Sequence, residues 1–485
     1  MAELTPQDAE ELARRLEALA DDRVRLFELP EPVRRRLLTA AGRLSRPDRV
    51  DKRKQARGLR KRDDARVKEH DSAILAETGI RGLRRDPFYV TPPVLPEPGV
   101  GGEPLATVMT SRRCYCCKAP YRAVHHFYDQ LCPACAELNW QKRHQTADLR
   151  GRTALVTGGR VKIGYQAAIK LLRAGARTLV TTRFPNDAAR RFAAEPDFAE
   201  WGDRLELYGL DLRHTPSVET FARHLLRRES RLDAILHNAC QTIRRPPAYY
   251  AHLMAGESSD VLSVDQRRLL AGYRELRLSG RGLADAPALS QAVLTAEERS
   301  LTSGGSLFPT GQLDADQQQV DLREVNSWRL DLAEVPTIEL LEVQLVNAVA
   351  PFVLSARLKP LMLRAGTREQ HIVNVSAMEG QFYRNLKTTR HPHTNMAKAA
   401  LNMLTRTSAA DYVHDGIHMN SVDTGWVTDE DPAAIAERKA EAHGFHPPLD
   451  IVDGAARICD PLFAGLLTGA HAWGVFFKDY RPTPW

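Results

Sequence analysis

The chain has 485 residues and a formal net charge of +7 at pH 7. This length exceeds that of a usual single domain, so two or three domains with room for a sizeable core are expected. No run of about 18 consecutive apolar residues occurs, and the N-terminus has the pattern of an amphipathic charged helix rather than a signal peptide. These features argue against a membrane or secreted protein and predict a soluble, cytoplasmic one.

Residues 1–106 are predicted to form a helical, basic region that ends in a linker. Leucines recur at helical spacing in its first part, and Pro30 and Pro32 interrupt the run. Prolines and glycines accumulate between residues 90 and 106. This composition predicts a domain boundary there.

The positive charge is concentrated in residues 43–68. Twelve Lys or Arg stand there against four Asp, a net charge of +8, which leaves about −1 for the rest of the chain. Such a run is typical of a solvated helical face or a mobile arm, and it is also the pattern of a surface that binds nucleic acid or another polyanion. Two alternatives therefore stay open, a solvated face and a contact for a protein or nucleic-acid partner.

Residues 107–149 are predicted to form a small zinc-ribbon-like module. Five of the seven cysteines fall in this segment, and two C-x2-C pairs are separated by fourteen residues. This spacing lets two turns place four thiolates around one tetrahedral Zn²⁺ with no open position, so the ion is expected to be structural. Disulfides are the alternative, although they fit an intracellular protein poorly. Cys116, His125 and His126 are close enough in sequence to substitute for one ligand; the predicted ligands are Cys114, Cys117, Cys132 and Cys135.

Residues 150–485 carry the signals of a doubly wound α/β domain with a parallel Rossmann sheet. The apolar residues 154–156 predict a strand, and the glycine-containing turn after it leads into a helix that opens near Ile163. This order of elements places backbone N–H groups against a pyrophosphate. The dinucleotide site is predicted to include Thr157, Gly158, Arg160, Ile163 and Gly164.

A stretch at about residues 245–322 is rich in Ser, Gly, Asp and Gln and lacks strand-like alternation. It follows the fourth strand of the predicted sheet, at the carboxyl edge where substrates bind in open α/β sheets. The sequence therefore predicts an insertion. It forms either a lid over the site or a structural decoration on the outer helices.

The ordered motifs from residue 150 onward resemble the short-chain dehydrogenase/reductase family. The family pattern T-G-x-x-x-G-I-G appears at residues 157–164, with Lys162 in place of the middle glycine. Motifs of the third and fourth strands follow, and a late loop resembles the family's P-G loop beside the nicotinamide, with Thr424 in place of proline. The further cofactor contacts that the resemblance implies are Asp211, Asn238, Ala239, Gly425 and Val427.

The end of the second strand indicates which nicotinamide cofactor is bound. The predicted strand at residues 178–182 is followed by Arg183. No acidic side chain stands there to accept hydrogen bonds from an adenosine 2′-hydroxyl. An arginine there can neutralise a 2′-phosphate. Together with Arg160 it favours NADP(H) over NAD(H), while the alternative for Arg183 is an ordinary surface charge at a strand end.

The family's reactive residues are only partly present. The resemblance implies an asparagine that organises the site, a serine that polarises the substrate oxygen, a tyrosine that transfers the proton and a lysine that lowers the pKa of the tyrosine. Asn347 and Lys398 match, but Thr394 stands where the tyrosine is expected, and its hydroxyl cannot become the stabilised base that this chemistry uses. Ser376 is the neighbour of Ala377, which occupies the register of the reactive serine.

An acid recruited from elsewhere would replace the missing tyrosine, and the candidates are Tyr249, Tyr250, Tyr383, His391 and His393. The sequence therefore predicts an atypical NADP-dependent oxidoreductase, expected to be a homo-oligomer, that acts on the carbonyl or alcohol group of a small molecule. The alternative is a non-catalytic NADP(H)-binding regulatory or scaffold protein. Its zinc module and basic region would bind a protein or nucleic acid.

Overall fold

The computed structural model describes residues 5–94, 104–259, 261–279, 282–301, 305–383, 387–428, 430–433, 435, 438 and 446–485. The chain forms two compact units, Met1–Ala73 and Ile74–Trp485. Residues 74–94 therefore share a unit with the cysteines, whereas the sequence grouped them with the basic N-terminal region. Most of the predicted linker, residues 95–103, lies outside the described residues.

The first unit is helical, as its composition predicts. Its helices are α1 (Pro6–Asp21), α2 (Arg25–Glu28), α3 (Glu31–Ser45) and α4 (Arg49–Ala76), the last of which continues into the second unit. The first three helices bury no residue. Residues 52–66, which carry most of the predicted basic segment, are exposed along α4.

The second unit begins with the small segment that carries the cysteines. Its elements are α5 (Gly79–Gly82), the antiparallel strands β1 (Ala106–Arg113) and β2 (Pro120–Val124), and α6 (Pro133–His144). We call residues 107–149 the cysteine module. Its buried Tyr128 and Leu131 pack in one cluster with Ile80, Leu449 and Ile451, so the module shares its core with the domain that follows.

An eight-stranded sheet is the centre of the α/β domain (residues 150–485). Its strands are β3 (Thr153–Thr157), β4 (Arg177–Thr182), β5 (Leu205–Gly209), β6 (Ala234–His237), β7 (Gln370–Ser376), β8 (Ile417–Asp423), β9 (Phe476–Lys478) and β10 (Arg481–Thr483). They lie in the order β10-β9-β8-β7-β6-β3-β4-β5, and all pairs except β9 with β10 are parallel. Every residue of β3 and of β5 to β8 is buried, as expected for a sheet covered on both faces. The predicted doubly wound Rossmann sheet is confirmed.

Helices flank this sheet. They are α7 (Lys162–Arg173), α8 (Pro185–Ala193), α9 (Phe198–Trp201), α10 (Thr215–Arg228), α11 (Pro247–Glu257), α12 (Val264–Leu269), α13 (Ala271–Ser279), α14 (Ala286–Leu289), α15 (Ala296–Ser300), α16 (Thr337–Gln344), α17 (Ala350–Leu363), α18 (Pro392–His414) and α19 (Ile451–Thr468). Single 3₁₀ turns occur at Gly202–Arg204, Ser327–Arg329, Leu332–Glu334 and Met378–Gly380. One π-helical turn, Leu345–Val349, joins α16 to α17.

The run Thr337–Leu363 is long and apolar enough to cross a membrane by length and composition alone. In the structure its two ends pack on helices of the α/β domain, α16 on α18 and α17 on α10. Core helices of this kind are apolar because they cover a buried sheet. The packing accounts for the apolar side chains on the buried side of this run, whereas Leu341, Phe352 and Leu363 stay exposed.

The predicted insertion contains the short helices α11 to α15. It packs on the end of β4 through a small apolar cluster in which Tyr249, Tyr250, Leu253 and Phe308 surround Phe184. The insertion thus lies beside the carboxyl edge of the sheet.

A buried ion cluster joins the cysteine module to the α/β domain. Arg143 of α6 donates to both carboxylate oxygens of Asp450 at 2.6 and 2.8 Å and to Asp453 at 3.0 Å. These three side chains are at most 7% exposed. Burial alone would raise the pKa of Asp450, but Arg143 beside it lowers that pKa below its ordinary value. The guanidinium therefore compensates the buried carboxylate of Asp450, whereas burial and the neighbouring Asp450 raise the pKa of Asp453.

We expect Arg143→Ala to lower the free energy of unfolding of the second unit by about 3–5 kcal/mol, because the buried carboxylate of Asp450 loses its cation and Asp453 loses a hydrogen bond. Urea denaturation followed by tryptophan fluorescence measures this change. Arg150→Ala is the matched control, since Arg150 pairs with Asp148 while both side chains are largely exposed, and it should leave stability nearly unchanged. Equal losses in the two variants would contradict the role of the cluster.

Candidate functional site

A cleft of about 930 Å³ lies at the carboxyl ends of the central strands. Its walls include the glycine turn after β3, the ends of β4, β6, β7 and β8, and parts of the insertion and of the cysteine module. Ligands bind at this edge in open α/β sheets. From the insertion, Tyr249, Tyr250 and Gln318 line the cleft, which favours the lid interpretation over an outer decoration.

The glycine turn packs closely against the residues after β6 and borders the cleft. Gly158 has a φ of +69°, and a Cβ atom there would lie 2.8 Å from the Cα of Ala239. A Cβ atom on Gly164 would overlap the carbonyl oxygen of Gly158 and the side-chain amide of Asn238. That amide also donates to the carbonyls of Thr157 and Gly158, at 3.2 and 3.0 Å. The predicted turn residues are therefore packed against the motif after β6, and the residues present fit the phosphates of a dinucleotide.

Lys162 takes the place of the family's middle glycine. Its φ of 56° lies in the left-handed region that glycine favours, so the backbone keeps the family's path at this position. The Lys162 Nζ atom lies 3.8 Å from a carboxylate oxygen of Asp316 in the insertion. Burial lowers the pKa of Lys162, but the carboxylates of Glu430, Asp316 and Asp314 raise it overall. A charged ammonium thus stands at the start of α7, where a helix N-terminus attracts anions.

The two arginines predicted to select NADP(H) occupy different surroundings. Arg183, at the end of β4, donates to the hydroxyl of Tyr250 at 2.6 Å, and its guanidinium lies 4.5 Å from the centre of that ring. Arg160 is buried and donates to Asp187 at 2.6 Å and to Gln318 at 2.7 Å. Asp187 therefore neutralises Arg160, and Arg183 is the better placed of the two for a 2′-phosphate.

Asp211 lies where the resemblance places the contact with adenine. It is buried, and Arg213 donates to its two oxygens at 3.0 and 2.6 Å while also binding Glu342. Burial raises the pKa of Asp211, but Arg213 lowers it overall. The carboxylate thus stays charged at the wall of the cleft.

Asn347 and Lys398 approach the site from two different helices. Asn347 lies in the π-helical turn, accepts the backbone N–H of Gln241 at 2.8 Å and donates to its carbonyl at 3.0 Å. It thereby fixes the loop after β6 that lines the cleft, and π turns occur often at functional sites. The ammonium of Lys398 is buried, lines the cleft and donates to the carbonyl of Val375 at 2.7 Å.

The serine and threonine positions differ in their access to the cleft. Ser376 and Ala377 both line it, and the Ser376 hydroxyl is buried with no hydrogen-bond partner among the described residues. Thr394 is 2% exposed and is not among the cleft-lining residues. Its hydroxyl is also buried without a partner in the described part of the chain. The predicted position of the family tyrosine is therefore occupied by a residue sealed from the cleft.

The five candidates for a recruited acid lie in three kinds of environment. Tyr383 is 96% exposed. His391 stacks on a tryptophan ring at 3.9 Å between ring centres, and His393 is buried beside a glutamate. Of the five, only Tyr249 and Tyr250 line the cleft.

The cysteine module adds two residues to the cleft that the sequence did not indicate, Tyr115 and Lys118. Tyr115 lines the cleft, and its hydroxyl accepts the backbone N–H of Trp426 at 2.9 Å. The ammonium groups of Lys118 and Lys478 lie 5.0 and 5.5 Å from the centre of its ring. Because Tyr115 and Trp426 are 311 positions apart, no local pattern could reveal this contact. The loop that contains Gly425 is therefore supported by the module.

The four predicted zinc ligands converge. Their four sulfur atoms all lie within 4.8 Å of one another, and those of Cys117 and Cys132 are 3.6 Å apart. Tetrahedral zinc with Zn–S bonds of about 2.3 Å places sulfurs about 3.8 Å apart, so the arrangement fits this ion. Cys116, His125 and His126 are not part of this group.

Comparisons with known proteins match the α/β domain. A model of the short chain dehydrogenases matches residues 152–260, and a model named Enoyl-(Acyl carrier protein) reductase matches residues 326–448. An uncharacterised protein of Acanthamoeba polyphaga mimivirus is 30% identical over 373 residues, which cover 75% of this chain and 73% of that protein. The chain belongs to the short-chain dehydrogenase/reductase family. The gap between the two model matches falls on most of the predicted insertion.

Other relatives match shorter parts. Dehydrogenase/reductase SDR family member 13 from Bos taurus is 40% identical over 106 residues, 21% of this chain and 27% of that protein, so the chain spans about a quarter of that relative. The RhlG/NADP active-site complex of Pseudomonas aeruginosa has a TM-score of 0.43 at 19% identity, covering 68% of this chain and 95% of the other. A Burkholderia cenocepacia short chain dehydrogenase in complex with NADP has a TM-score of 0.43 at 16% identity, covering 68% and 96%.

Proposed function

We propose that the protein is an atypical NADP(H)-dependent oxidoreductase that acts on the carbonyl or alcohol group of a small molecule. The observation that carries this proposal is one cleft with a dinucleotide cradle at the start of α7 and with Lys398 and Ser376 at the carboxyl end of β7. Membership of a family of dehydrogenases and reductases supports the class of reaction. The substrate, a homo-oligomer and a cytoplasmic location stay predictions.

Different residues along the cleft would bind the phosphates, the ribose and the substrate. A bound nicotinamide would supply or accept the hydride. Lys162 and the free N–H groups at the start of α7 would hold the pyrophosphate, and Arg183 the 2′-phosphate. The Lys398 ammonium has three donors, of which one binds the Val375 carbonyl, so two remain for ribose hydroxyls. The Ser376 hydroxyl, which is buried without a partner among the described residues, would orient the substrate oxygen after turning into the cleft.

The proton donor is where this chain departs from its family. Three phenols line the cleft among the described residues: Tyr115, Tyr249 and Tyr250. The hydroxyl of Tyr250 binds Arg183 and so belongs to the adenosine end. Tyr249 and Tyr115 remain as candidates, and Tyr115 lies beside the loop that the family resemblance places next to the nicotinamide.

One observation favours the second candidate function, a non-catalytic NADP(H)-binding protein. The reactive serine register holds Ala377, and Thr394 is sealed from the cleft. In that case cofactor binding would regulate a partner. The exposed basic residues 52–66 of α4 would be the surface for a protein or nucleic acid.

We further propose that Cys114, Cys117, Cys132 and Cys135 hold one structural Zn²⁺. A module with so small a core gains much of its stability from a metal. Because Tyr115 lies between ligands and contacts the loop of Trp426, the ion would also fix one wall of the cleft.

The first prediction concerns the choice of cofactor. Arg183→Ala should weaken NADPH binding by about 1.5–3 kcal/mol and leave NADH binding nearly unchanged, because a charge-assisted hydrogen bond to the 2′-phosphate is lost. Isothermal titration calorimetry with both cofactors measures this. Arg227→Ala, at an exposed position of α10 outside the cleft, is the control. Native protein that binds NADH as tightly as NADPH would overturn the assignment.

The second prediction separates the two candidate functions. With an active enzyme, Lys398→Ala should lower turnover by about 10²-fold or more, whereas the isosteric Thr394→Val should keep it, since Thr394 does not reach the cleft. NADPH oxidation on a panel of aldehydes and ketones provides the rate. Turnover abolished by Thr394→Val would contradict our placement of that residue. No turnover in the native protein, with NADPH binding weakened by Lys398→Ala, would favour the regulatory function.

The third prediction concerns zinc. Metal analysis of the purified protein should show about one equivalent that disappears in the Cys132→Ser/Cys135→Ser variant, together with a lower unfolding temperature. Cys116→Ser is the matched control because it lies in the same turn but outside the ligand group. Loss of zinc in the control alone, or equal stability with and without zinc, would be the contrary result.

A further inference from the structure

Three histidines converge at the edge of the sheet opposite to the cleft. His371 and His418 are the second residues of the parallel strands β7 and β8 and face each other in register. His471 follows α19 in the chain. One ring nitrogen from each lies within 4.8 Å of the other two. These are the side chains that most often bind transition metals in proteins.

The distances are close to those of ligands of one ion. The Nε2 atom of His371 and the Nδ1 atom of His471 are 2.9 Å apart, a hydrogen bond between the two rings that a bound ion would replace. The centre of the His418 ring lies 5.2 Å from that of His371 and 4.8 Å from that of His471. Since zinc holds imidazole nitrogens at about 2.0–2.1 Å, a small opening of the close pair admits an ion between the three rings.

The surroundings set the ring orientation that a ligand needs. The Nδ1 atom of His418 lies 3.1 Å from the carbonyl oxygen of Gln370, which can only accept, so Nδ1 carries the proton and Nε2 presents its lone pair. Metal-binding histidines are fixed in this way by a backbone carbonyl. His371 is fully buried, and its Nδ1 atom has no hydrogen-bond partner among the described residues, so packing alone holds this ring in place.

A glycine provides the room for the pair. A Cβ atom on Gly465 of α19 would lie 2.5 Å from the Nδ1 atom of His471 and 3.2 Å from the Nε2 atom of His371. Of the nearby charges, Arg152 and Glu369 pair with each other, with a hydrogen bond of 2.5 Å, and Arg368 donates to the backbone carbonyl of His414. His471 is partly exposed, so water can reach the site as a fourth ligand.

We propose that His371, His418 and His471 form a second metal site, which binds one Zn²⁺ with water as its fourth ligand. Neutral imidazoles with an oxygen ligand suit this borderline ion. The ligands come from β7, from β8 and from the segment between α19 and β9. The ion would therefore clamp the end of α19 to the sheet and take no part in reactions in the cleft.

Zinc titration of the chelator-treated full-length protein tests this site. The native protein should take up one equivalent more than His471→Ala, and zinc should raise its unfolding temperature more than that of the variant. Gly465→Ala is the second variant, which keeps all three histidines but removes the room for the pair, and it should also lose the equivalent.

His414→Ala, at an exposed position on α18 outside the cluster, should bind as the native protein does. Because the result is a difference between variants, it holds whether or not the cysteines bind zinc. Equal zinc uptake by the native protein, His471→Ala and Gly465→Ala would overturn the proposal and leave the three rings as a stacked, metal-free cluster.

Discussion

The buried cluster of Arg143 with Asp450 and Asp453 holds the cysteine module against the α/β domain within the second unit. Removing these charges from water is costly, and the arrangement is stable only because the guanidinium and the carboxylates meet in good geometry. Arg143 belongs to the helix of the cysteine module, while the two aspartates open α19. The cluster therefore fixes the module on the Rossmann sheet and brings Tyr115 to the cleft wall.

The Rossmann fold around the proposed cofactor site was predictable because its signals are local. A strand, a glycine turn and a helix are encoded within a few residues, and the position of Lys162 in the left-handed region keeps the family's backbone despite the substitution. The cysteine spacing is local in the same sense. By contrast, Asp187 neutralises Arg160, and Gln318, which is 158 positions away, accepts a hydrogen bond from it; no sequence pattern records such a partner.

For the reactive residues, the sequence predicted only that the family's tyrosine and reactive serine are missing from their expected positions. The sequence predicts Thr394 at the position of the family tyrosine, but which other side chain could serve as the acid depends on side-chain directions that tertiary packing decides. Tyr383 is adjacent to the reactive strand in sequence and almost fully exposed, whereas Tyr115 is far away in sequence and lines the cleft. The same limit applies to the histidine cluster, whose members meet only because β7 and β8 pair in register.

The central claim is that this cleft binds NADP(H) with its nicotinamide end open to a substrate. A crystal structure of the NADPH complex tests it most directly. We expect the 2′-phosphate within hydrogen-bond distance of Arg183, the pyrophosphate at the start of α7, and free space beside Ser376 bordered by Tyr115 or Tyr249. A complex in which residues of the insertion fill that space, or in which NADPH lies outside the cleft, would contradict the account.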